Sequence, residues 1–148
     1  METRQRNTRH LATAREPRVL DFAGPKLEEA FRYGPDPLCV SGAFNSAKTV
    51  TCCLKMLVIA DRYPGYRWLV ARRVWDELRK TTMPSFFKFC PRQAWEPKGR
   101  RSDTEKVLEL NNGSTFIWMH LEDADSLSVL RGIEINGFLL DQAEELEE

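Results

Sequence analysis

Metal-ligating residues are scarce in this chain. Two histidines (His10, His120) and four cysteines (Cys39, Cys52, Cys53, Cys90) occur in 148 residues, and no cysteine pair has C-x-x-C spacing. A zinc site draws its ligands from such residues at close spacings, so none is expected. Cys52 and Cys53 are neighbours on an expected helix, so at most one faces the core. Buried, reduced thiols account for the set. Long apolar runs are lacking as well. Nothing approaches the roughly twenty apolar residues of a membrane span, and no apolar core follows the first arginines as it would in a signal peptide. Net charge is zero, with 22 basic and 22 acidic residues, and so says nothing about a nucleic-acid partner.

The distribution of charge says more. Arg4, Arg6, Arg9, Arg15 and Arg18 stand at the start against Glu2 and Glu16, while Asp141, Glu144, Glu145, Glu147 and Glu148 crowd the end. Residues 1–25 read as a basic, poorly ordered arm, with contact to DNA phosphates or a partner subunit as the alternative. Residues 26–148 read as one domain, a length that buries about two thirds of its unfolded surface.

What is present is an octapeptide, Gly42-Ala43-Phe44-Asn45-Ser46-Ala47-Lys48-Thr49. It follows the apolar run Pro37–Val40 and opens a helical pattern, and it fits G-x-x-x-x-[G/A]-K-[S/T]. In a phosphate-binding loop of this kind, successive backbone N–H groups and the positive end of the helix dipole converge on an anion. Lys48 would reach the β- and γ-phosphates of ATP, and the Thr49 hydroxyl would ligate Mg²⁺. Ala47 replaces the second glycine, which is tolerable if its φ stays negative. A chance turn before an ordinary helix is the competing reading.

The remaining pattern alternates strands with helices. Lys26–Tyr33 reads as a helix, Leu38–Ser41 as a strand, Ala47 to Arg62 as a helix and Arg67–Arg72 as a buried parallel strand. Val74–Thr81 and Pro84–Cys90 read as helices, and residues 91–104 as a polar loop rich in basic residues, solvated or facing DNA or a partner. Asn111-Asn112-Gly113 between β-rich runs marks a hairpin, and Asp123–Leu130 reads as helical. The four tryptophans are scattered and read as packing residues. The order predicts an α/β domain with a parallel sheet flanked by helices and a β-hairpin.

Gly137-Phe138-Leu139-Leu140 is an apolar strand that ends in Asp141. Ligands of parallel sheets bind beyond the carboxyl ends of the strands, which would set Asp141 on the rim of the phosphate loop as a Mg²⁺ ligand.

The ordered set of phosphate loop, Ala71-Arg72-Arg73, Asn-Asn-Gly-Ser hairpin, Leu130-Arg131-Gly132 and Phe138 to Glu145 resembles the ATPase domain of phage terminase large subunits, the motors that pump viral DNA into capsids. The likeness runs from about Pro37 to Glu148. It implies a P-loop NTPase fold of the RecA type, with residues 42–49 as Walker A and Asp141 as Walker B. ATP and Mg²⁺ would be the cofactors. Double-stranded viral DNA, a portal protein and a small terminase subunit would be partners of a homo-oligomeric ring, soluble in the cytoplasm of an infected bacterium. Arg131 would be an arginine finger or a local turn residue, and Arg72 and Arg73 phosphate sensors or a surface pair.

Two departures stand out. The family places Glu after the Walker B Asp to orient the attacking water, but Gln142 stands here. A Gln amide cannot accept that water's proton, so Glu144, or else Glu145, is the candidate for this role. The second departure is that the sequence ends seven residues after Asp141. The family's central strand and nuclease domain both follow Walker B, so the chain reads as an N-terminal piece. It is expected to be poorly soluble and weakly active alone. A helicase-like ATPase and a non-hydrolysing nucleotide-binding remnant are the alternatives.

Overall fold

A computed structural model of the chain describes residues 22–34, 36–43, 46–122 and 128–146. The expectations for most of the N-terminal arm, for Phe44 and Asn45, and for residues 123–127 lie outside these.

Five strands form one mixed sheet in the order β2-β3-β4-β1-β5. They are β1 (Arg67–Arg72), β2 (Arg100–Ser102), β3 (Val107–Glu109), β4 (Thr115–His120) and β5 (Gly137–Leu140). β1 lies between β4 and β5 and is parallel to both, with Val70 opposite Trp118 on one side and Leu139 on the other. It is central for a simple reason. Its run Trp68-Leu69-Val70-Ala71-Arg72 is buried throughout, the mark of a strand covered on both sides.

The hairpin forms where Asn-Gly predicts it. Gly113 turns with φ 83°, a conformation that suits glycine, and β3 pairs antiparallel with β4. Sequence reasoning missed β2, which lies inside the stretch expected to be a polar loop. It is three residues long and takes its place by pairing Arg100 with Glu109. Three of the four basic residues of this stretch have local acidic partners: Arg92 pairs with Glu96, Arg100 with Glu105, and Arg101 with Asp103.

The helices are α1 (Pro25–Arg32), α2 (Lys48–Arg62) and a continuous helical segment. That segment runs through α3 (Trp75–Glu77), a π-helical turn (Leu78–Thr82) and α4 (Met83–Phe87). Cys53, Met56 and Ala60 of α2 and Leu78, Met83 and Phe86 of the segment pack with Trp68, Val70, Phe116 and Trp118 of the sheet. Phe86 is at the centre, edge-on to both Phe116 and Trp118. Trp118 and Trp68 are thus core residues, as their scatter along the sequence suggests. No helix among the described residues is long and apolar enough to cross a membrane.

One expected strand is absent. Residues 38–41 join no strand of the sheet, and Leu38 is 42% exposed. An apolar run becomes a strand only when another strand takes up its backbone N–H and C=O groups. Among the described residues β5 is an edge strand of the sheet, and its Phe138 is 55% exposed.

The cysteines are free thiols among the described residues. Burial raises the pKa of Cys90 to about 12, and burial followed by the charge of Asp141 raises that of Cys53. A maleimide at neutral pH is therefore expected to modify exposed Cys39 first, and Cys53 and Cys90 only after unfolding. Both buried thiols stay protonated in the fold while the unfolded chain loses those protons above its ordinary value of 9.0. Their contribution to stability is complete below pH 9.0 and declines as pH rises above it, for Cys90 toward about 12. Urea denaturation across this range, with Cys53→Ala and Cys90→Ala as references, measures the decline.

Candidate functional site

The three parallel strands end together at Arg72, His120 and Leu140, and the start of α2 meets this rim. The junction is one hydrogen bond. Thr49 Oγ1 donates to Asp141 Oδ1 at 2.9 Å, across 92 residues of sequence. Asp141 is held from both sides. Its backbone N–H donates to Ala71 O at 2.9 Å, extending the β1–β5 pairing, and its Oδ2 accepts from Thr82 Oγ1 at 2.5 Å.

Lys48 lies over its own loop. Its ammonium donates to the carbonyls of Gly42 and Ala43, each at 2.7 Å, and to Ser46 Oγ at 3.1 Å. All three donors of the ammonium are thus turned onto the turn that precedes α2. Gly42 has φ 155°, a value side-chain-bearing residues rarely adopt. Ala47 departs from the sequence expectation: its φ is +59°, in the left-handed region. Its Cβ then crowds the following carbonyl, at a cost of about 1–2 kcal/mol. The turn needs this backbone shape to start the helix at Lys48, and here an alanine bears it.

The start of α2 is suited to an anion. The N-cap residue makes no side-chain cap hydrogen bond and no acidic residue lies within the first turn, so the helix's own sequence leaves its first N–H groups for an outside acceptor. The donors for a cation lie alongside: a threonine hydroxyl and an aspartate, hard oxygen ligands of the kind Mg²⁺ takes together with phosphate oxygens. No group of three or more His, Cys, Asp or Glu that could hold a metal occurs among the described residues.

The chain turns sharply after Asp141, with Gln142 at φ 57°, into a 3-10 turn at Ala143–Leu146. This turn divides the two candidate glutamates. Glu145 is bound by Arg72 in a bidentate pair, Nη2 to Oε1 at 2.7 Å and Nε to Oε2 at 3.1 Å. Arg72 Nη1 also donates to Thr81 Oγ1 at 2.8 Å, and Arg73 Nη1 to Glu145 O at 2.8 Å. The Glu145 hydrogen bonds raise the Arg72 pKa against the effect of burial. Glu144 is exposed and lines a shallow recess with Arg73, Val74, Glu77 and Glu145. Arg131 is exposed in the turn after helical residues 128–130, on the connection that enters the amino end of β5. No bond among the described residues ties Glu144 or Arg131 to Lys48 or Thr49.

Two features of the site escaped sequence reasoning. Arg72 is an anchor for Glu145, and Thr82 is a partner of Asp141. The first had a faint signal, a charged residue closing an apolar strand. The second had none, since it depends on how a helix sits against the sheet.

No protein-family model matches the chain, and no curated protein matches it. Among solved structures it is similar to the large terminase of a thermophilic bacteriophage, with a TM-score of 0.59 and 15% sequence identity. The match covers 69% of this chain and 26% of that protein, so the likeness is to about a quarter of the terminase's length. At this identity the similarity speaks to fold. Over the matched region the chain has a terminase-like α/β fold.

Proposed function

We propose that this chain is the ATP-binding part of a terminase-like DNA-packaging motor, with Mg²⁺ bound alongside the nucleotide. The Thr49–Asp141 bond carries the reading, because it joins the start of α2 to the end of β5 at the carboxyl rim of a terminase-like sheet. Residues 42–49 would cradle the phosphates, with Lys48 exchanging its loop carbonyls for phosphate oxygens and the first turn of α2 adding N–H donors. Thr49 and Asp141 would hold the cation. Mg²⁺ bound there would neutralise charge on the phosphates. Double-stranded viral DNA, portal protein, the small terminase subunit and a ring of like subunits belong to the same proposal, as does Arg131 acting across a subunit boundary.

The pairing of Glu145 with Arg72 favours a second reading, a nucleotide-binding module with little turnover. It leaves Gln142 and the exposed Glu144 as the groups free to order a water, and a Gln cannot take its proton.

Equilibrium binding of ATP tests the first reading. Lys48→Ala is expected to weaken binding by about 10- to 100-fold, the value of charged hydrogen bonds to phosphate. Unchanged affinity in the folded variant would remove the site. Tight binding without phosphate release, with and without double-stranded DNA, selects the second reading.

A further inference from the structure

We propose that Thr82 is the positioning residue for the metal-binding carboxylate, which rests on the nucleotide reading above. Asp141 accepts two hydroxyl hydrogen bonds, one on each oxygen, from Thr49 at 2.9 Å and from Thr82 at 2.5 Å. Thr49 is the residue that would turn to a cation. Thr82 is then the partner that keeps the carboxylate in place, with Oδ2 engaged and Oδ1 facing the start of α2.

The local backbone fits this task. Thr82 is 0% exposed, beside buried Met83, a position where an aliphatic side chain would ordinarily serve. It closes the π-helical turn Leu78–Thr82, set between two α-helical stretches. Such turns are uncommon and frequently accompany functional sites. Two consecutive threonines leave this turn toward the loop after β5. Thr81 accepts from Arg72, which grips Glu145, and Thr82 donates to Asp141. One helical turn thus sets the position of two acidic side chains of that loop. Groups that orient a metal ligand typically change metal affinity 10- to 100-fold when removed.

The test is ATP affinity measured by calorimetry on the 148-residue chain, with and without Mg²⁺. The readout is the factor by which Mg²⁺ tightens binding. Thr82→Val, close in shape but without the donor, is expected to reduce this factor about tenfold or more while leaving Mg²⁺-free affinity near that of the wild type. Thr82→Ser restores the donor and is expected to restore the factor. Should Thr82→Val fold poorly, Thr82→Cys offers the same comparison with a weak S–H donor.

A Mg²⁺ factor unchanged in a folded variant overturns the proposal and makes Thr82 a packing residue. A wild-type chain that binds no ATP at all is a different failure, since it removes the nucleotide reading itself.

Discussion

Gly137→Ala is expected to lower stability by about 3 kcal/mol, within the range for overpacked cores. A Cβ at this position would lie 2.5 Å from Trp68 Cζ3 and 2.8 Å from Cε3, far inside contact distance. Trp68 has little room to yield. It is 7% exposed, its ring lies 5.1 Å from that of Tyr66, and the core cluster surrounds it. The strand is therefore the element that moves. Gly137 opens β5, and Asp141 follows the end of β5, so a shift here also pulls the carboxylate from Thr49. Urea denaturation gives the stability loss, and ATP affinity of the variant gives the effect on the site. Gly132→Ala is the control. The nearest atom to its added Cβ is 3.8 Å away, so a near-neutral result is expected. Equal stabilities for both variants would show that Trp68 does not hold β5.

The second large effect is expected at Glu145. The Arg72 side chain is 9% exposed and its Glu145 partner 32% exposed, so the two variants of the pair are not equivalent. Glu145→Ala leaves a buried guanidinium with Thr81 as its remaining side-chain partner among the described residues, and a loss of about 3 kcal/mol is expected. Arg72→Ala leaves a carboxylate that water can reach, and a loss of about 2 kcal/mol is expected. Replacing both with apolar residues of similar volume should recover much of the loss, since no uncompensated charge remains. Denaturant midpoints of the two single variants and the double variant measure all three values. A Glu145→Ala variant as stable as the wild type would mean the pair is not formed in solution.

The contrast between these residues shows what the sequence could reveal. β1 and the hairpin were legible because their signals are local: a continuous apolar run, and Asn-Gly between β-rich segments. α2 was legible from the helical pattern that the octapeptide opens. Asp141 was legible as the end of an apolar strand. Residues 38–41 carry an equally good local pattern and form no strand, because pairing is decided by a neighbour and not by the segment. β2 was hidden for the converse reason, since three charged or polar residues become a strand only through β3. The left-handed backbone at Ala47 was unreadable, because alanine rarely accepts it and only the junction of loop and helix demands it. The π-helical turn and the Thr82–Asp141 bond arise from packing between distant elements. No spacing in the chain encodes them.

In the proposed function, Thr49 and Asp141 act together on a magnesium-bound nucleotide. Titration of ATP into the wild type and Asp141→Asn, each with and without Mg²⁺, tests this most directly. The predicted result is tighter binding with Mg²⁺ in the wild type, and loss of that gain in Asp141→Asn while the Mg²⁺-free affinity set by Lys48 persists. An Asp141→Asn variant that keeps the full Mg²⁺ gain, or a folded wild type that binds no ATP, would contradict it.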